Sequence, residues 1–142
     1  MNAAHRLTSD AVDVGDEYEA ANDYLYEHGF TDGLPIVPPT EERVRRFVEY
    51  MRRSPSDNVG VIPPAGGEAT IEKLAVNAVM AGCQPEHLPV LVAAVEAMCD
   101  PAFNLFGIQV TTSSVGPMLI VNGPARHRLK INCASGVMGP GW

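Results

Sequence analysis

The chain is poor in the residues that announce a chemistry. Its 142 residues include three cysteines, four histidines and one tryptophan. No apolar run approaches the roughly 20 residues a bilayer crossing needs, and the first ten residues hold no apolar signal-peptide segment. The expected location is therefore the cytoplasm, with no membrane partner. Cys83, Cys99 and Cys133 are odd in number and lack zinc-ribbon spacing, which argues against a disulfide framework and a Cys-only metal site. His5, His28, His87 and His127 show no HExxH or comparable ligand spacing, so no metal site is expected. There is no GxSxG elbow for a serine hydrolase, and no GxGxxG or GxxxxGK[ST] loop for a nucleotide. The residues name no cofactor.

Basic charge is the next shortage. Ten Lys and Arg stand against seventeen Asp and Glu, a net charge of −7, which argues against nucleic acid as the main partner. The distribution is uneven. Eight acids and no Lys or Arg lie between Asp10 and Asp32, whereas Arg43, Arg45, Arg46, Arg52 and Arg53 crowd the following segment. These are read as two solvated faces that attract each other, or as a docking surface for a charged partner.

What is present is a pattern of helices followed by strands. Residues 1–15 lack apolar periodicity and read as a flexible acidic arm, with a single α+β domain over 16–142. Tyr18, Ala21 and Leu25 fall near helical spacing, and Gly29 supplies a stop. The Pro-rich FTDGLPIVPPT stretch, residues 30–40, is expected to be extended and pinned against the body. Thr40 then caps a helix whose Val44, Phe47, Val48 and Met51 form one buried stripe. A short strand at 59–62 ends at two prolines, and the VIPPAGGEAT loop leads to a helix capped by Thr70 with Ile71, Leu74, Ala75, Ala78 and Val79 on its apolar face. Gly82 and Pro85 mark a tight corner into a fourth helix, which Asp100 and Pro101 end. Residues 106–111, 118–121 and 129–132 read as three short strands. The expected architecture is α+β, with about four helices in the N-terminal two-thirds packed on a small C-terminal sheet.

Three places are candidates for a site. Cys83 falls within about one turn of a helix N-terminus, where partial positive charge favours thiolate. The competing reading is that a free cysteine simply fills a buried helix corner. Thr111, Thr112, Ser113 and Ser114 offer four hydroxyls, as a pocket wall or as turn formers, and Asn122 sits in the turn after the next strand. The Gly-rich NCASGVMGPGW stretch, residues 132–142, contributes Asn132, Ser135 and Gly136 as backbone and amide donors toward a polar substrate. It ends as a loop begins, which points to a contact completed by another chain. Arg126, His127, Arg128 and Lys130 form a basic cluster, either a solvated turn or an anion-facing patch.

Taken together, TDGLPIVPPT, ATIEKLAVNAVMAGCQPEHLPVLVAAVEAM, VNGP and GVMGPG resemble the N-terminal region of the UGSC family of (seleno)proteins. The CQPEHLP corner is the most specific part. In that family a separate domain carries a Sec/Cys-Gly-Ser-Cys motif, which implies thiol or selenol redox chemistry. No Cys-Gly-Ser-Cys occurs in this chain. The resemblance implies a separated piece of a larger catalytic unit, with Cys83 as the residue carried over and Cys133 where serine is expected. It implies no metal, nucleotide or named substrate.

The leading expectation is a small subunit of a hetero-oligomeric enzyme. It would share an active site with a larger protein subunit and act on a small polar molecule by thiol- or cofactor-centred chemistry. The alternatives are a non-catalytic scaffold subunit, docking through its acidic arm and Gly-rich tail, and a stand-alone thiol oxidoreductase.

Overall fold

Gly29, at a φ of 72°, stops helix α1 (Tyr18–Glu27) where the sequence places the stop. The computed structural model describes residues 6–15, 17–135 and 137. Beyond Gly29 the Pro-rich segment bends through residues 30–34, where the Thr31 hydroxyl donates to the Leu34 carbonyl, and then runs without regular structure to Thr40. The Ile36 N–H donates to Asn22 Oδ1, the Val37 N–H to the Met80 carbonyl, and Arg43 Nη1 to the Pro38 carbonyl. The segment is thus tied to the helices on both sides of it.

Helix α2 (Glu41–Met51) and helix α3 (Ile71–Met80) begin alike. The Thr40 hydroxyl accepts from the Arg43 N–H and the Thr70 hydroxyl from the Lys73 N–H, and each satisfies a donor that the first helical turn leaves open. Their apolar stripes meet. Val44, Phe47 and Val48 pack on Ile71, Ala75, Ala78 and Val79, with Leu88 and Val92 of helix α4 (Leu88–Cys99) completing the core. A 3-10 turn, Pro85–His87, leads into α4, so the helix proper starts three residues after Pro85.

Between α2 and α3 lies the one sheet among the described residues, an antiparallel pair of β1 (Asn58–Ile62) and β2 (Gly67–Thr70). The register places Gly60 opposite Ala69 and Ile62 opposite Gly67, with a bulge between Asn58 and Gly60. Asn58 Oδ1 accepts from the Gly60 N–H at the bulge. Gly60 is required for a different reason. A Cβ there would lie 2.5 Å from Cys99 Sγ, because the end of α4 presses directly on β1. The Cys99 thiol faces the Val61 carbonyl at 3.7 Å.

The α+β class therefore stands, but the sheet is in the middle of the chain. Of the three expected C-terminal strands, the first is helix α5 (Leu105–Val110). Local capping overrides the β propensity of its side chains. Asn104, at a φ of 54°, accepts from the Gly107 N–H through Oδ1, and any Cβ on Gly107 would collide with that side chain. Residues 118–121 and 129–132 form no strand. Helix α6 (Pro124–Arg128) lies between them.

Two long-range ties were not visible in the sequence. Arg53 pairs with Asp57 and with Glu96 on α4, and Arg45 pairs with Glu41. Among the described residues, Arg45 and Arg53 thus pair with acids of their own neighbourhood and of α4, and no arginine of the cluster pairs with an acid of 10–32. The second tie is Glu72. It is 1% exposed, and its carboxylate accepts from the N–H groups of Thr8 and Ser9 and from the Thr8 hydroxyl at 2.8–3.1 Å. Leu7 packs against the core beside it, so part of the N-terminal arm lies on the body.

Candidate functional site

The corner after α3 is a complete left-handed helix ending. Gly82 takes a φ of 75°, its N–H donates to the Val79 carbonyl, and the Cys83 N–H donates to the Ala78 carbonyl at 2.9 Å. This pair of bonds is the Schellman arrangement, and it puts Cys83 over Ala78, where a small apolar side chain completes the cap. Cys83 is half-buried and packs against the core cluster. Burial pushes its thiol up from the ordinary value. That direction, caused by burial, is opposite to the lowering expected at a helix N-terminus, and the backbone does not place the residue at one. Cys83 belongs to the C-terminal cap of α3, and Gln84 stands between it and the 3-10 turn.

His87 does what the sequence left unassigned. Its Nδ1 lies 3.0 Å from the Gln84 N–H, and its Nε2 lies 3.1 Å from the Leu129 carbonyl. A carbonyl only accepts, so Nε2–H donates to Leu129, while Nδ1 also lies 3.2 Å from the Gln84 carbonyl and its role follows the tautomer. The imidazole therefore clamps the buried Leu129 segment onto the corner. It is a positioning group, and no hydrogen bond joins it to Cys83. A histidine four residues after Cys83 was the signal available in sequence, but its partner lies 42 residues away.

The remaining candidates do not converge on Cys83. Thr111, Thr112, Ser113 and Ser114 are exposed; the Ser113 N–H donates to Thr111 Oγ1 and the Val115 N–H to the Ser113 carbonyl, which is turn geometry. Asn132 donates to the Val137 carbonyl, and Ser135 is exposed. Gly136 lies outside the described residues. Among the described residues, no group of three or more His, Cys, Asp or Glu side chains is placed to hold a metal ion.

A cleft of about 420 Å³ lies elsewhere, between α4 and the irregular chain that follows α5. Val90, Ala93, Ala94, Ala97 and Met98 line one wall, Phe103 one end, and residues 117–122 the other wall. Asn122 is the one sequence-predicted site residue among those that line it, and the one lining residue with a polar side chain. The cleft exists because α4, LPVLVAAVEAMC, is apolar nearly all round while burying fully only Leu88 and Val92. A helix of that composition is ordinarily covered on every side.

The uncovered surface continues past α4. Residues 101–124 contain no Asp, Glu, Lys, Arg or His, and Met118, Leu119 and Ile120 are 65%, 50% and 73% exposed. Phe106, Val110 and Val115 are exposed with them. No single helix among the described residues is long and apolar enough to cross a membrane; the Pro85–Cys99 and Pro101–Val110 helices are apolar as a pair, bent by 73°. No protein-family model, curated protein or solved structure matches the chain.

Proposed function

We propose that this chain is a small subunit of a hetero-oligomeric enzyme, in which a larger partner covers the charge-free face and completes a site for a small polar substrate. The observation that carries the subunit half is residues 101–124, a surface with apolar side chains in water and no charge to keep it there. Folded chains that work alone seldom leave so contiguous an apolar patch open. The enzymatic half rests on the resemblance to the UGSC family of (seleno)proteins, which implies thiol or selenol redox chemistry. In this reading the partner carries the thiol, selenol or cofactor, Asn122 orients the substrate from the cleft wall, and Cys83 is the thiol this chain could add.

A second reading is favoured by one observation. Cys83 is a half-buried cap residue whose thiol is pushed up, which fits a packing role and a non-catalytic subunit. Isolation of the native complex and weighing of each chain tests the common part: a larger second polypeptide supports it, and a lone chain of 15.2 kDa refutes it. Activity of the Cys83→Ser complex then separates the two. Full activity removes the thiol from the mechanism, and loss of activity with unchanged assembly places it there.

A further inference from the structure

Residues 118–121, Met-Leu-Ile-Val, have the composition of a strand, yet they belong to no helix or sheet. Among the described residues, 116–122 take part in no backbone or side-chain hydrogen bond. Their peptide groups thus depend on water alone, alongside side chains that gain nothing from exposure. Like the free edge of a sheet, a segment of strand composition with unpaired peptide groups is a template for pairing with another chain.

The surroundings limit what that chain is. One side of the segment faces Ala93, Ala94 and Ala97 across the cleft. Small residues there leave room for side chains from an added strand. No charge lies within 101–124, so the centre of the partner strand has to be uncharged. Just beyond, α6 carries Arg126 and Arg128. Arg126 Nε lies against His127 Nε2, and Arg128 is exposed and makes no ion pair among the described residues. In an acidic chain this is a local positive rim, and it complements an acidic residue at one end of the partner strand.

We infer that residues 118–121 pair with a sheet-edge strand of the larger partner subunit, apolar at its centre and acidic at the end that meets Arg128. This is strand addition, in which main-chain bonds supply affinity and alternate side chains supply specificity. The inference rests on the subunit reading above and adds to it the segment, the mode and the chemistry of the contact. A second copy of this chain is the competing occupant. It has the same free segment, but it lacks an acid within 101–124 to meet Arg128 and adds a further charge of −7.

Hydrogen exchange read by mass spectrometry on the native complex and on the isolated chain tests it. In the isolated chain the amides of 118–121 exchange at nearly the unprotected rate. In the complex with the partner polypeptide they slow at least about tenfold, as amides in a sheet ladder do. Leu119→Pro and Ile120→Pro each remove one N–H. Because only alternate N–H groups face a neighbouring strand, one of the two weakens association about fivefold to tenfold, and the other less. Neither variant shifts the melting temperature of the isolated chain, since that amide has no partner there. Arg128→Glu lowers association further.

The contrary outcomes are separable. A complex with a larger chain whose 118–121 amides still exchange freely overturns strand addition and leaves the subunit reading intact. Protection of those amides only on self-association assigns the segment to a second copy and overturns both. Isolation of the chain alone and monomeric also overturns both.

Discussion

Two stretches of similar hydrophobicity behave in opposite ways. In α2, α3 and the start of α4, apolar residues recur at helical spacing and close on one another, so Val48, Ile71, Ala75 and Leu88 have no exposed surface. In residues 101–124 apolar residues are also abundant and no charge interrupts them, but most lie on a short helix and on irregular chain that no second layer covers. The first stretch holds the fold together. The second contributes little to the chain alone and is available for another molecule. Hydrophobicity of a segment therefore says that something will be buried, and the packing says whether the chain itself does it.

The sharpest way to break that contrast is a pair of truncations followed by denaturant unfolding. Leu88→Ala removes a fully buried side chain and is expected to cost about 3 kcal/mol. Ile120→Ala is expected to fall within about 0.5 kcal/mol of the parent, as exposed positions do. Equal losses would mean that 118–121 packs against the body in solution.

Gly60→Ala probes the junction of the two regions, where α4 leaves the core. Its Cβ would have to displace Cys99, and a loss of about 2 kcal/mol is expected. Cys99→Ala in the same chain should restore part of it, since the sulfur is the nearest atom at 2.5 Å and the Cys99 Cβ remains at 2.8 Å. Strict additivity of the two changes would refute the contact.

Most of the core was legible in the sequence. Thr40 and Thr70 are caps, Gly29 and Gly82 are stops, and the stripe of Val44, Phe47 and Val48 is buried, because each depends on neighbours within about four residues. The C-terminal third was misread for the converse reason. Phe106 to Val110 has strand-like composition, and what decides its helix is the Asn104 cap and the bare Gly107 beneath it. Strand β2 was missed because Gly-Glu-Ala-Thr has almost no β propensity of its own; it is a strand because Val59 to Ile62 lies beside it. The Glu72 and His87 ties span 63–64 and 42 residues, and no local pattern encodes such distances. For the candidate site, the corner geometry was legible, while the state of the Cys83 thiol depended on burial that only the packed core determines.

Glu72 gives a pH-dependent check on the well-packed half. Burial raises its carboxyl pKa, the hydrogen bonds from Thr8 and Ser9 together outweigh that, and the group lies below its ordinary value of 4.5. A depressed folded value means that the stabilisation is present above the unfolded pKa and is lost as pH falls through the folded one. The arm should therefore stay docked at neutral pH and release below the ordinary glutamate range. Glu72→Ala should cost about 1–2 kcal/mol at pH 7, a modest amount because the freed donors turn to water, and the gap from the parent should shrink on acidification. Proteolysis near Thr8 across that range would show it, and a gap that widens in acid would contradict the assignment.

The smallest expected loss at a residue of the body is that of His87→Ala, about 1 kcal/mol from losing the bond to the Leu129 carbonyl. Amide exchange around Leu129 should quicken while that of α2 is unchanged. No change at Leu129 would remove His87 as a clamp.

The central claim is that the charge-free face is open in the chain alone and covered in its native assembly. Met118 reports on it directly, because an exposed thioether is oxidised by peroxide and a covered one is protected. Mild peroxide treatment of the isolated chain and of the complex from the source organism, with peptide mass analysis, should show rapid sulfoxide formation at Met118 in the first and strong protection in the second. Equal rates of Met118 oxidation in the two would contradict the account.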